Sequence, residues 1–442
     1  MGNRRSESIR PCPGPNSVSP LTAEELRVAI ERQFTPPPDS DSGPGLTGVE
    51  LELIPRRVSP GGTIESVPLA TVLEVVGCLT TKSGFRRLSG DRPAFTVGNG
   101  GSLTFEPGGQ IEYSGPPMPT AREAGADLRS VLGPLKQTFS AAGIELQDAG
   151  ITPAGSAGLI ELQQPNRRYE VMDSYLSGIS PWGPLMMRGT ASMQINIDLG
   201  APEQVLPRWR AANLLAPVLG GAFANSPLRI PDGSRAASGR LWIWPRIDPS
   251  RTGFVLPSRG EDLVDTYLGF ALGAAVMLRG SGTDLQAADR RSFEEWIAEP
   301  GDRPPEYDDW ITHLTTLFPH VRPRSWIEVR FVDTPREDWW DVPLVIFPAL
   351  LYDDVARSAV ISLLSPNETR LEALTETAAL SGVADPEIGA LAETVFEIAL
   401  DAVERMPADY FGANQVSAAV GFLSRFTSRR LSQADESVRA GG

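Results

Sequence analysis

Two glutamates stand two residues apart in the run Gly48-Val49-Glu50-Leu51-Glu52-Leu53, whose other members are apolar or glycine. A β-strand has a side-chain period of two, so Glu50 and Glu52 leave one face while Val49, Leu51 and Leu53 leave the other. Carboxylates this close repel unless a cation lies between them or one takes a proton; a solvated strand face would show the same pair. A second acidic group is carried by Leu103-Thr-Phe-Glu106-Pro-Gly-Gly-Gln110-Ile-Glu112-Tyr. Pro107-Gly108-Gly109 is a turn signal between two short strands. The expected three-residue loop sets Glu106 across from Gln110, with Glu112 next on the same face. A two-residue loop would send the two glutamates to opposite faces. In Trp326-Ile-Glu328-Val-Arg330-Phe-Val-Asp333, Glu328 and Arg330 share a face. That is a plain salt bridge, or a metal ligand beside an anion clamp. A fourth strand alternates Thr190, Ser192, Gln194, Asn196 and Asp198 on one side. Mostly neutral, this row suits hydrogen bonding to a polar small molecule, which makes Gln194 and Asn196 candidates for contacting a cofactor.

Glu50, Glu52, Glu106, Glu112 and Glu328 together are hard oxygen donors. The chain offers little else: its only cysteines are Cys12 and Cys78, and its only histidines His313 and His320. A Cys-rich or His-based zinc site has almost no raw material, so metal chemistry here means Mg²⁺. Such carboxylates can hold Mg²⁺ against a nucleotide triphosphate. The only lysines are Lys82 and Lys136, so phosphate must be neutralised by arginine. Arg240, Arg251 and Arg330 are the candidates, each equally readable as a structural or surface arginine. Neither G-x-x-x-x-G-K-[ST] nor a kinase-type glycine loop occurs, and the PAGSAG run at 153–158 carries nothing alone.

The elements that would position these residues can be read from periodicity. Thr22-Ala-Glu-Glu25 has the form of a capping box opening a helix through Leu26, Ile30 and Phe34. A Pro-rich linker follows, and residues 1–20 read as disordered. Strands are expected at 48–53, 103–105, 110–113, 144–151, 192–199 and 326–332. Helices are expected at 69–79, 120–142, 167–176, 203–224, 263–277 and 292–297, with Cys78 a small core residue. After Asp341 the chain turns helical, at 342–364, 368–381 and 386–406. The expected fold is α+β: an antiparallel sheet with one face lined by chemistry, flanked by helices, with a C-terminal helical layer. The expected organisation is a tail, helix and linker at 1–46, a catalytic domain at 47–341 and a helical region at 342–442.

The chain has 442 residues, 40 basic against 55 acidic, and a formal charge of −15. No basic block supplies the footprint that duplex binding needs, so nucleic acid is not an expected partner. No apolar run approaches the ~20 residues that cross a bilayer, and no apolar segment follows Arg4 and Arg5 to make a signal peptide. A cytoplasmic protein with small-molecule partners and no membrane is expected. Oligomeric state leaves no mark on the sequence.

Seven segments, in order, resemble those of the glutamate–cysteine ligase family of plants and many bacteria, within the glutamine-synthetase-like carboxylate–amine ligases. They are GVELE (48–52), LTFEPGGQIEYSGPP (103–117), RRYEVMDSY (167–175), MMRGTASMQINIDL (186–199), NSP (225–227), GRLWIWPRIDPSRTG (239–253) and HLTTLFPHVRPRSWIEVRFVD (313–333). The last is most similar to the bacterial variant serving ergothioneine synthesis. The resemblance implies a curved antiparallel sheet forming a funnel-like active site, with ATP and Mg²⁺ as cofactors and glutamate phosphorylated at its γ-carboxylate before cysteine attacks. It implies metal binding by Glu50, Glu52, Glu106, Glu112 and Glu328, and substrate binding by Arg168, Tyr169, Met172 and Arg330, with Gln110 beside them. Arg240 and Arg251 fall in the segment associated with nucleotide phosphates, and Arg330 and Arg240 are the expected catalytic groups. The chain departs from the family pattern at Arg188-Gly189, on the thiol-accepting side. Two alternatives stay open: a γ-glutamyl ligase with another amine acceptor, and a non-catalytic ligand-binding relative.

Overall fold

Alternating side chains can bury one face only if neighbouring strands keep the same parity. The computed structural model describes residues 21–41, 43–59, 64–80, 84–90, 92–152, 160–164 and 166–436, without the side chain of Thr283. Among these, ten strands form one sheet, antiparallel at every pairing. Its path runs Val321–Pro323, Trp326–Asp333, Ser192–Asp198, Thr47–Val58, Ile111–Ser114, Ser102–Phe105, Phe95–Thr96, Arg86–Arg87. Thr47–Val58 is the central strand. Its second half also pairs with Ile64–Ser66 and Glu145–Gln147. The sheet is open at both ends of its path.

One face is apolar: Val49, Leu51, Leu103, Phe105, Ile111, Met193, Ile195, Ile327 and Val329 are all buried. The helices Ala121–Ala141, Pro202–Ala222 and Asp341–Tyr352 pack with these strands into one hydrophobic cluster. Asp341–Tyr352 is buried along its whole length and is covered by Asp354–Leu364, Pro386–Val403 and Ala413–Arg425, the expected helical layer. The same cluster takes in Leu26, Ile30 and Phe34 of the first helix, whose capping box on Thr22 forms as expected. Phe34 meets Trp209 and Tyr267 edge-on.

Some boundaries differ. The helix expected at 342–364 is two, because Asp353 is extended and its carboxylate caps the second by accepting from the Ala356 N–H at 2.8 Å. The strand expected at 144–151 shrinks to Glu145–Gln147, and the helix at 263–277 ends at Gly273. Three short helices went unread: Trp182–Gly189, Gly239–Ile247 and Tyr307–Leu314. The first two contain Pro184 and Pro245, which depress helix propensity. Cys78 is exposed rather than core, since the preceding helix buries Leu69, Val72 and Val76 instead. Residues 1–20 and the PAGSAG run lie outside the described residues.

The acidic hairpin turns through three residues, as its sequence predicts. Glu106 N–H donates to the Gln110 carbonyl at 2.9 Å, and Gly109 N–H to the Glu106 carbonyl at 2.8 Å, with Gly109 at φ 85°. Gly108 lets this turn press on the end of the Trp182–Gly189 helix: a Cβ there would stand 2.0 Å from the Arg188 carbonyl oxygen. Gly108→Ala should therefore cost about 1–3 kcal/mol in urea unfolding. Gly77→Ala, with nothing within 4 Å of the added carbon, is the control and should be near neutral. An unchanged midpoint for Gly108→Ala would mean that the hairpin does not abut Arg188.

Candidate active site

On the sheet's other face, register lines the polar side chains into rows. Thr104, Glu112 and Glu52 oppose one another across three strands, and Glu52 accepts the Ser192 N–H at 2.7 Å. Ser102, Ser114, Glu50 and Gln194 form the next row. Gly48, Asn196, Glu328 and Arg322 form the third. The three-residue loop puts Glu106 on this face beside Glu112. Gln194 accepts from Arg330 Nη1 at 3.1 Å, and Asn196 donates to Glu50 at 3.2 Å.

The charges strain against each other. Burial, then the neighbouring Glu112 and Glu328, push Glu50 up to about 7. Burial and Glu52 do the same to Glu112, also to about 7. Burial raises Glu106 well above the ordinary range, with Glu112 and Glu52 adding to it. Glu52 is raised by burial but partly relieved by Arg240. Glu328 is the exception: burial would raise it, yet Arg330 and Arg322 overcome that and hold it near 2. Both its oxygens are taken, by Arg322 at 2.6 and 3.1 Å and by Arg330 at 2.8 Å. Among the described residues no three acidic, His or Cys groups form a ready-made metal cage. Like charges with nothing between them splay apart. The donor set nevertheless fits a hard divalent cation. It is all oxygen, its carboxylates are held against their own repulsion, and Asn196, which lies between Gly48 and Glu328 in the register and donates to Glu50, keeps a buried Oδ1 with no partner. Were a divalent cation to bind here, Glu50, Glu52, Glu106 and Glu112 are the oxygen donors this face would offer it.

Beside them lies a cavity of about 120 Å³, small enough for an amino acid, lined by Glu52, Glu106, Tyr169, Met172, Arg240 and Arg330 among others. Arg240 is buried, donates to the Arg330 carbonyl at 2.7 Å and lies 4.8 Å over the Trp244 ring. Arg330 Nε is buried without a partner, a free donor for an anion. Gln110 borders the cavity, but its amide is already engaged: Oε1 accepts from Gly108 N–H and Nε2 donates to the Thr190 carbonyl, both at 2.9 Å. It pins the hairpin rather than presenting a free amide. Arg168 is not in the cavity lining; it reaches the Thr315 hydroxyl at 2.8 Å.

Arg251 requires a correction. It is 0% exposed, with Nε on Asp248 at 2.7 Å, Nη1 on the Thr316 carbonyl at 2.9 Å and Nη2 on Tyr175 and the Ala275 carbonyl. A guanidinium so fully engaged has nothing left for a phosphate. Arg322 and Arg324, which sequence reasoning missed, gather around Glu328 instead. Their signal was the Arg-Pro-Arg spacing just before the Glu328 strand. Trp244 and Phe318 in the cavity wall were also missed.

Two outcomes follow from this geometry. An acid whose pKa is higher folded than unfolded stabilises the fold when protonated. That contribution is complete below the unfolded value of 4.5 and is lost as pH rises through about 7. In chelator-treated protein, Glu112→Gln should raise the melting temperature at pH 8 relative to the natural chain and leave it unchanged at pH 4. Equal effects at both pH values would mean that Glu112 is not under charge strain. Arg251→Met strands Asp248 in the interior and should cost about 3–5 kcal/mol in urea unfolding; a neutral result would restore Arg251 as a free anion clamp.

Comparison with known proteins agrees with this geometry. Residues 46–415 match the model of Glutamate-cysteine ligase family 2 (GCS2). The glutamate–cysteine ligase EgtA of Mycolicibacterium smegmatis is 31% identical over 415 residues, 90% of this chain and 94% of the relative. The chloroplastic glutamate–cysteine ligase of Arabidopsis thaliana is 30% identical over 317 residues, 69% of this chain and 60% of the plant protein. Among solved structures, a chain of the complex between prokaryotic ubiquitin-like protein Pup and its ligase PafA aligns over 88% of this chain and 65% of that one. It has 10% identity and a TM-score of 0.42. With a family match over most of its length and a relative this similar along nearly all of it, the chain belongs to glutamate–cysteine ligase family 2, a family of ligase enzymes.

Proposed function

We infer that the protein joins the γ-carboxylate of L-glutamate to the amine of L-cysteine, giving γ-glutamylcysteine, ADP and phosphate from ATP. The observation that carries this reading is the cavity in which a carboxylate-lined wall meets Arg240 and Arg330. A negatively charged amino acid needs the arginines, and a nucleotide triphosphate needs cations that the glutamates can hold. The names of the relatives supply the two amino acids. The catalytic body is assigned to residues 47–341, the helices after 342 cover the sheet, and the reaction takes place in the cytosol.

A carboxylate is a poor acyl donor, so it must first gain a leaving group. The γ-phosphoryl group moves from ATP to a glutamate γ-oxygen, releasing ADP. The free amine of cysteine then attacks the acyl carbon, the C–N bond forms, the C–O bond to phosphate breaks, and the ammonium proton departs. Bound Mg²⁺ supplies charge neutralisation for the phosphoryl oxygens. Arg330, with Nε free and Nη1 tied to Gln194 and Glu328, grips the substrate carboxylate. Arg240, braced on Trp244, faces the transferring phosphoryl group. Arg322 and Arg330 hold Glu328 ionised at the edge of the site, where it would add negative charge for a bound cation. Tyr169 and Met172 wall the amino-acid end, and Gln194 and Asn196 bond the nucleotide side.

The test is phosphate release and product mass with glutamate, Mg²⁺-ATP and a panel of amines. Cysteine should stimulate release and γ-glutamylcysteine should accumulate. Release stimulated by another amine and not by cysteine would reassign the acceptor. Glu50→Gln or Glu106→Gln should cut turnover by about two orders of magnitude or more while the protein stays folded. Undiminished turnover in either variant would take that glutamate out of the metal site.

A further inference from the structure

Asp333 closes the Glu328 strand and pairs with Ser192 at the start of the neighbouring one. Its side chain is 1% exposed. Oδ2 accepts from the Asn225 N–H at 2.9 Å and from the Ser226 hydroxyl at 2.6 Å. Ser226 Oγ in turn accepts the N–H of Arg240 at 3.1 Å. Ser238 Oγ lies 3.3 Å from Ser226 Oγ and caps the Gly239–Ile247 helix by accepting from Leu241 N–H at 3.1 Å. The first turn of the helix that carries Arg240 and Trp244 into the cavity thus hangs from one buried carboxylate. Two glycines make room for it. A Cβ at Gly150 would stand 2.6 Å from Asp333 Cγ, and one at Gly239 would stand 2.7 Å from the Ser226 carbonyl oxygen. Asp333 Oδ1 is buried with no partner. Burial raises the Asp333 carboxyl above its ordinary range, and the Arg240 guanidinium pulls it part of the way back.

The geometry points to Asp333 as a positioning residue, which fixes the helix turn bearing Arg240 and balances the charge of its guanidinium beside the cavity. For its kinetic readout this rests on the proposed ligase reaction, in which Arg240 faces phosphate. Asp333→Asn keeps an oxygen acceptor for Asn225 and Ser226, removes the charge and places an amide NH2 where Oδ1 has no partner. A double-mutant cycle with Arg240→Gln separates positioning from mere support of the fold. Asp333→Asn should lower turnover about tenfold in the natural chain but less than about twofold further once Arg240 is replaced. In urea, the double variant should unfold at a higher midpoint than the two single losses added together predict, because neither partner is left facing an unpaired charge. Equal fold-losses in both backgrounds, or additive midpoints, would overturn the assignment. If the natural chain shows no turnover with any amine, the proposed reaction fails, and the urea cycle alone decides for or against Asp333.

Discussion

The site depends on one unfavourable interaction: carboxylates from separate strands held facing each other in a place where water screens them poorly. Glu50, Glu52, Glu106 and Glu112 gain nothing from one another, and each is driven toward its protonated form. Such a cluster persists only because the opposite face of the same strands is buried as a continuous apolar layer. At roughly 1.5–3 kcal/mol for each fully buried large aliphatic side chain, that layer far outweighs the repulsion. A bound cation would turn the remaining repulsion into attraction, which makes the strain a store of affinity rather than a defect.

The arginines divide the same problem among themselves. A buried guanidinium has to be answered by carbonyls or carboxylates, and how completely it is answered decides what it can still do. Arg251 is fully answered by Asp248, Thr316 and Ala275, so it ties loops together. Arg330 keeps Nε unspent, and Arg322 spends itself on Glu328, the one of the five site glutamates held below the ordinary carboxylate range. Arg240 stands between these cases, half tied to the Arg330 carbonyl and half resting on Trp244.

Most of the acidic face was legible because strand parity is a local property. Once Glu50, Glu52, Glu112 and Glu328 lie on strands with apolar residues between them, burying the apolar set sends the acids to a common side. The hairpin was legible too, since Pro107-Gly108-Gly109 permits the positive φ that a three-residue loop requires. Short helices containing proline were not, because packing rather than propensity holds Gly239–Ile247 and Trp182–Gly189. The helix break at Asp353 had a local signal, the Asp353-Asp354 pair between two apolar runs, whose N-cap role went unread.

By itself the sequence determined which residues share a face, that the donors would be oxygen, and that arginine would answer the anions, since composition and period allow nothing else. Only the tertiary structure decided which of those groups remain free. Gln110 and Arg251 have the right chemistry, yet they find their partners in Thr190 and Thr316, distant in sequence, while Asp333 acquires a role through Ser226. A side chain's availability is what remains after its long-range hydrogen bonds are made, and those bonds exist only once the chain has closed on itself.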